Sequence, residues 1–589
     1  MSGQDAADDA AEQSPPPNVP RHRRVEPTPT PAATSTTPAS TSRVKAPLAI
    51  WTATALHLGV MVVFTLLYPA YWGFDETGHV SRVLAAQNGN VAPTPGAAPY
   101  VGGVNNSYQT YTVHDQPPFS TYLAPDRADR PSFISLGGAL AHPPPGQLPN
   151  QLAQHPPGYY LLAAGVLDTV PGSANLAWDQ TVGLLRLLDV VFLLPLPYLC
   201  WAIARRFARD RVAVATAFAP ILLPALERLG GSVNNDDLLI LLTSIFILQV
   251  GKVLTGDLRR RVAVTMGVSL TLALLTKGFA LVLPPVAVLA YLIAWRRARG
   301  RFPTPQVGIV VLAGAVGGLW WLRNLVVYHV VQPPGLTTAQ RNQVWPPLPP
   351  GSKSEHVATY AHHVLDRMTT DAWGALGLTV PPSLPGAITF IASILAAALI
   401  LLAFVSCMAR RRDAGRRGAG AVGRVTIIDL GMLLLPTVLV VVPLLYHGWS
   451  DYSRTGQLIG VQGRYLYPGF VGLVAVAAVG GDFIAGAAPK WVERLLPLLA
   501  CVLAIAIEAT AFYVVLTKLW LHNGTLLKGN GSRVLHAIGA TSPWPGHTTE
   551  AIFSLTALSG LVAVVGLLFG LRSRAQETTD TSTQFPLQG

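Results

Sequence analysis

"YWGFDETGHVSRVLAAQ", residues 71–87, decides the reading of this chain. It follows an apolar run at 47–69, long enough to cross a bilayer, and sets two carboxylates, a histidine and an arginine where the chain leaves the lipid. Tyr71 and Trp72 suit a membrane–water boundary. A helix opening at Asp75 places Asp75 and His79 one turn apart on one face, with Arg82 next along it. Val80, Val83 and Leu84 would then turn toward the bilayer. The same spacing fits a helix cap at Asp75, a role compatible with chemistry.

The remainder of the chain repeats the pattern of the first span. The 589 residues are 50% hydrophobic and 12% charged, and the mean hydropathy is +0.40, so most apolar surface must face lipid. The expected architecture is an all-α polytopic membrane protein with about twelve spans, at 47–69, 180–204, 211–228, 236–254, 261–276, 278–296, 305–328, 385–408, 425–446, 465–485, 495–517 and 549–571. The net charge of +12 comes from Lys and Arg clustered in short loops, as orientation signals are, and the basic–aromatic stripe of a nucleic-acid surface is missing. With the N-terminus cytoplasmic, the clusters at 205–211, 252–261, 296–301, 410–424 and 572–574 all fall inside, which predicts a multi-pass protein of the cytoplasmic membrane with both termini cytoplasmic.

The elaborate surface therefore points outward. The long, sparsely basic loops 70–179, 329–384 and 518–548 are extracytoplasmic in this topology, and the first carries an aromatic, apolar stretch suited to short interfacial helices. Residues 1–44 and 572–589 read as disordered tails flanking a transmembrane module at 45–330 and further spans at 385–571, with loop 331–384 between them. Cys200, Cys407 and Cys501 lie inside apolar runs without metal-ligand spacing and read as packing residues. The "NNS", "NGT" and "NGS" triplets at 105, 523 and 530 read as chance.

Seven stretches then point to a family: "FDETGH" (74–79), "HPPGYYLLA" (155–163), "RLGGSVNNDDLLI" (228–240), "LALLTKGFAL" (272–281), "WWLRNLVVYH" (320–329), "AWGALGL" (372–378) and "QGRYLYP" (462–468). In that order they resemble the bacterial membrane-protein family known as DUF2142, a relative of the GT-C glycosyltransferases. An acidic residue just beyond the first span is a mark of that superfamily. The resemblance implies a GT-C-like fold and an enzyme that takes a sugar from a polyprenyl-phosphate donor and passes it, with inversion, to an extracytoplasmic glycan, glycolipid or protein acceptor of the cell envelope. It implies Asp75 as the base, with Glu76 and His79 as orienting neighbours or as the base itself, and His155 as a contact to donor phosphate or acceptor.

The chemistry stands without the name. Transfer of a sugar from a lipid phosphate to a hydroxyl needs one base for the hydroxyl proton and cations for the departing phosphate. Lys277, Arg323 and Arg464 each fall at an outward end of a span, where a lipid phosphate lies, although such residues also serve as snorkelling or structural cations. Arg464 is favoured because a guanidinium binds phosphate oxygens in pairs and its aromatic neighbours suit a prenyl chain.

Glu227, Asn235 and Asp236 in "ERLGGSVNNDD" are candidate donor or metal contacts, against the plainer role of capping the following helix. The sequence requires no cofactor and leaves a divalent metal open. Arg186 and Asp189, three residues apart in a span, are expected to pair with each other, and Glu508 must be paired, protonated or turned to a polar cavity. His114 and His142 stand near further prolines. Two other classes remain: a transporter or flippase of lipid-linked glycan using Glu508 and the Arg186–Asp189 pair as a charged path, and a non-catalytic membrane protein of envelope assembly.

Overall fold

The computed structural model describes residues 46–112, 118–122, 124–138, 148–349, 356–377, 382–417, 425–521, 523–527 and 529–580. The N-terminal tail expected at 1–44, His114 and His142 lie outside the described residues. Helix is the regular structure of the described residues, apart from two isolated bridges, Ser132–Ala177 and Ala375–Ser383.

The helices that position the site are α1 (Leu48–Leu67), α2 (Glu76–Gln87), α3 (Gly158–Thr169), α4 (Trp178–Leu193), α5 (Pro224–Gly230), α6 (Asn235–Leu254), α7 (Arg260–Leu274), α8 (Thr304–Tyr328) and α9 (Val357–Gly374). Ten helices among the described residues are long and apolar enough to cross a membrane, and the chain is a multi-pass membrane protein. Two of the expected twelve spans are not among them. The 211–228 stretch is broken into Asp210–Ala215, two 3₁₀ turns and α5, because Pro220 and Pro224 each lack an N–H and cannot continue a helix. The 261–276 stretch is α7, whose 15 residues span about 22 Å, short of a bilayer's hydrocarbon core. The last helix, Gly546–Asp580, runs into the stretch expected as a C-terminal tail.

Burial ranks the helices. On α6, Leu239, Leu242, Ser244, Ile247, Leu248 and Gln249 are all buried, so it is enclosed on every side and forms the centre of the bundle. On α8, by contrast, Leu312, Leu319 and Val326 are exposed, the signature of a face turned to lipid. α7 packs along α8 through small residues: a Cβ on Gly317 would meet Leu274 at 2.9 Å. The ion pairs Arg209–Asp482 (2.8 Å) and Arg297–Asp429 (2.6 Å) lie at the helix ends where the basic clusters gather.

The first long loop is built, not slack. α2 lays Val80, Val83 and Leu84 into the protein core instead of the bilayer, as its packing partner is α3, whose Tyr159, Tyr160 and Ala163 are buried with them. Apolar residues at that spacing need only an apolar surface, and α3 supplies it. α3 is docked in turn by the Gly158 N–H, which donates to the Leu275 carbonyl at 2.8 Å. No side chain fits there: a Cβ at Gly158 would lie 2.5 Å from that oxygen.

Candidate active site

Asp75 ends the segment that leaves α1 and occupies the N-cap position of α2 with φ 56°, a left-handed conformation that Asp tolerates better than most residues. Its side chain makes no capping hydrogen bond. The carboxylate instead leaves its own helix: Oδ2 accepts from Arg464 Nη2 at 2.9 Å, and Oδ1 has Gln151 Nε2 at 3.5 Å. The side chain is 37% exposed, against 4% for Asp236. Arg464 sits in the 3₁₀ turn Gly463–Gly469 that opens the span Gly463–Ala487. Gly463 brings this turn against α9, where a Cβ would fall 2.3 Å from the Ala372 nitrogen.

Two further charges complete an array of alternating sign. Lys277 follows α7 in an extended conformation that breaks the helix, and its Nζ donates to Asp236 Oδ1 at 2.6 Å. Asp236 Oδ2 lies 3.9 Å from Arg464 Nε. Asp75, Arg464, Asp236 and Lys277 therefore form one chain of contacts, each at the end of a different helical element. Aromatic rings wall it: Arg464 lies over Phe74 (4.8 Å) and Tyr465 (5.6 Å), and Lys277 over Phe279 (5.4 Å) and Tyr465 (5.6 Å). Arg464 is 7% exposed, yet its Nη1 has no hydrogen-bond partner among the described residues.

Two histidines face this array. His79 is buried with Nδ1 3.2 Å from the Tyr160 hydroxyl, and His155 is buried with Nδ1 lacking a hydrogen-bond partner among the described residues. Burial and the nearby Lys277 ammonium push the His79 imidazole well below the usual histidine range and hold His155 down to about 3. Both rings are neutral at physiological pH. The resting array thus holds two carboxylates against two cations, with uncharged rings beside them.

Glu76, expected beside the chemistry, faces away from it. Its carboxylate is fully buried and clasped by Arg186, Nε to Oε1 at 2.8 Å and Nη2 to Oε2 at 2.7 Å, and it also accepts from the Val233 and Gly73 N–H groups. Burial works to raise its pKa, but the Arg186 charge and these hydrogen bonds outweigh burial and hold the carboxyl below its usual range. Arg186 simultaneously donates to the carbonyls of Thr65, Tyr68 and Pro69, closing the C-terminal end of α1. The pairing of Arg186 with Asp189 is thereby corrected: Asp189 accepts from the Tyr159 hydroxyl (2.7 Å) and the Asn234 N–H (3.1 Å). A bidentate carboxylate was available to the guanidinium from α2, and the α4 neighbour was not needed.

The other candidates divide. Asn234 caps α6 by accepting from the Asp236 N–H at 2.9 Å, and Asn235 donates to the Thr276 carbonyl at 3.4 Å beside Lys277. Glu227 stands outside the array, its Oε1 2.6 Å from His57 Nδ1 in a fully buried pair. Arg323 packs over Trp320 and Tyr328 and donates to Asn324, and none of these contacts reaches Asp75 or Asp236. Glu508 is buried with neither carboxyl oxygen hydrogen-bonded among the described residues. Acceptors near the array without a hydrogen-bond partner among the described residues include Asn235 Oδ1, Asp236 Oδ2 and both carboxyl oxygens of Asp237, but no group of three His, Cys, Asp or Glu side chains among the described residues is placed to hold a metal. Gln151, Tyr160 and the Arg186 clasp escaped sequence reasoning; "QHPP" was the nearest signal to the first two.

A family model described as dolichyl-phosphate-mannose-protein mannosyltransferase matches residues 155–321, under a third of the chain. That segment contains His155, Asp236 and Lys277. A search of curated proteins finds no match. Among solved structures, the chain is similar to ArnT from Cupriavidus metallidurans in the apo state, with 14% identity over 87% of this chain and 77% of that one and a TM-score of 0.38. ArnT bound to undecaprenyl phosphate matches with 13% identity over 88% and 77%, at a TM-score of 0.36. The apo oligosaccharyltransferase of Archaeoglobus fulgidus is 11% identical over 84% of this chain and 56% of that one, with a TM-score of 0.38.

Proposed function

We propose that this protein is a GT-C-type membrane glycosyltransferase, of the kind the DUF2142 resemblance implies, which uses a polyprenyl-phosphate sugar. The observation that carries the reading is the Asp75–Arg464–Asp236–Lys277 array, set at the ends of membrane-spanning helices with one exposed carboxylate at its rim. The match of residues 155–321 to a mannosyltransferase family model agrees with it.

In this reading the donor phosphate binds Lys277 and Arg464, whose Nη1 has no hydrogen-bond partner among the described residues. Because the array is charge-balanced at rest, the incoming phosphate competes with Asp75 for Arg464. Asp75 is then released as it is needed. The acceptor hydroxyl oxygen attacks the anomeric carbon from the face opposite the phosphate, forming the new C–O bond as the bond to the phosphate oxygen breaks. The hydroxyl proton passes to Asp75, and the electron pair leaves with the polyprenyl phosphate, whose charge the two cations stabilise. The carboxylate stands at the boundary because lipid-linked donor and aqueous acceptor meet only there. The cytoplasmic membrane, cytoplasmic termini and an extracytoplasmic glycan, glycolipid or protein acceptor belong to this proposal. Of the charged path a transporter reading would use, the Arg186–Asp189 pair is replaced by Arg186–Glu76.

The test is the linkage composition of the envelope glycans in the host strain with wild-type protein, a deletion, and Asp75→Asn at matched expression. The proposal expects deletion and Asp75→Asn to remove the same sugar linkage. A deletion phenotype that Asp75→Asn fully rescues contradicts it and favours transport or assembly.

A further inference from the structure

Arg464 also lines a cavity. About 240 Å³ in volume, it opens between α9, α5 and the 462–464 segment, walled by Asp366, Arg367, Asp371, Ser383, Gln462 and Arg464, and it shares Phe74 with the array. Gln462 Oε1 is buried without a hydrogen-bond partner among the described residues, as are Arg464 Nε and Nη1. Asp371 accepts from Arg367 Nε at 2.8 Å, which orients its carboxylate within this wall.

The chemistry of the occupant follows from these groups. Two carboxylates repel an anion and two guanidiniums repel a cation, so the cavity suits a neutral molecule. Gln462 brings a buried acceptor that is costly to leave unpaired, and Arg367 and Ser383 are donors in the same wall. A hydroxyl group donates and accepts, so a ring bearing several hydroxyls satisfies both at once. The volume falls below the range of drug-sized pockets and fits a single ring. We infer that this cavity is a subsite for one neutral sugar ring, with Asp371 and Gln462 selecting its hydroxyl pattern while Arg464 links it to Asp75.

The inference rests on the proposed glycosyl transfer and names the part of the protein that reads the sugar. That ring belongs either to the donor or to the acceptor. The experiment uses Ser383→Cys in the full-length protein in lipid nanodiscs, since the three natural cysteines are all buried. Maleimide labelling is timed with bare decaprenyl phosphate, with decaprenyl-phosphate mannose, glucose, galactose and arabinose, and with the methyl glycosides of the same sugars. Binding of the bare lipid is measured in parallel.

At least one sugar-bearing lipid slows labelling relative to bare lipid by about tenfold if the ring is the donor's, and at least one methyl glycoside does so if it is the acceptor's. Adding Asp371→Asn or Gln462→Ala removes that protection and leaves bare-lipid binding unchanged. Labelling that no sugar slows, with bare lipid still bound, overturns the sugar subsite and leaves the proposed transferase standing. Loss of bare-lipid binding in the unmodified protein overturns the transferase reading and the subsite with it.

Discussion

Arg464 reaches across 389 residues of sequence to hold Asp75 at 2.9 Å, and the same guanidinium lies 3.9 Å from Asp236. One cation thus stands between two carboxylates of different exposure. The exposed one is the proposed base and the buried one steadies the cation. Because an arginine so placed is shared, replacing either carboxylate changes what Arg464 can offer a ligand. Asp75→Asn is expected to bind bare decaprenyl phosphate at least as tightly as wild type, since Arg464 loses a competitor. Titration of the purified protein with that lipid checks this, and weaker binding would count against competition at Arg464.

Arg464→Lys tests the geometry of the cation. An ammonium keeps the charge and loses the planar fork that spans Asp75 and the phosphate. Lipid-phosphate affinity is expected to fall about tenfold or more, the scale of one charge-assisted hydrogen bond. Arg323→Ala, remote from the array, is expected to leave affinity unchanged in the same titration.

The Glu76–Arg186 clasp is a matter of stability. Glu76→Gln strands a buried guanidinium, and breaking such a pair costs about 3–5 kcal/mol. The expected result is a lower melting temperature with the acceptor and donor preferences of the surviving folded protein intact. Because the folded pKa of Glu76 is depressed, the stability it supplies is present above the unfolded carboxylate's pKa and is lost as pH falls below it. Wild type should therefore lose stability relative to Glu76→Gln on acidification below about pH 4.5, measured by thermal melts across pH.

His155 acts in a different window. Its folded pKa of about 3 lies below the ordinary 6.5, so the folded protein binds fewer protons than the unfolded chain between those values. Stability from this ring is complete above pH 6.5 and declines as pH falls toward 3. His155→Gln should flatten the melting-temperature profile between pH 7 and 5. An unchanged profile would show that the ring is solvated.

Much of this arrangement was legible in the sequence, for physical reasons. Ten spans announced themselves by length and apolarity, whereas 211–228 is not one continuous helix but is broken around Pro220 and Pro224, a signal the apolar average concealed. Asp75, His79, Lys277 and Arg464 were readable because each is a polar residue at an apolar boundary. The Glu76–Arg186 clasp was not: the partners are 110 residues apart, and helical spacing offered Asp189 as a nearer one. The Val80–Val83–Leu84 face was legible as apolar, but its partner α3 lies across a loop that no local pattern specifies.

The central claim is that Asp75 takes the acceptor proton. Its most direct measurement is sugar transfer by Asp75→Asn in reconstituted vesicles, using the donor and acceptor identified from the missing linkage and protein whose lipid-phosphate binding has been verified. A positioned base contributes about 10²- to 10⁴-fold. The account predicts a rate loss of that order with donor binding retained, and transfer at the wild-type rate would contradict it.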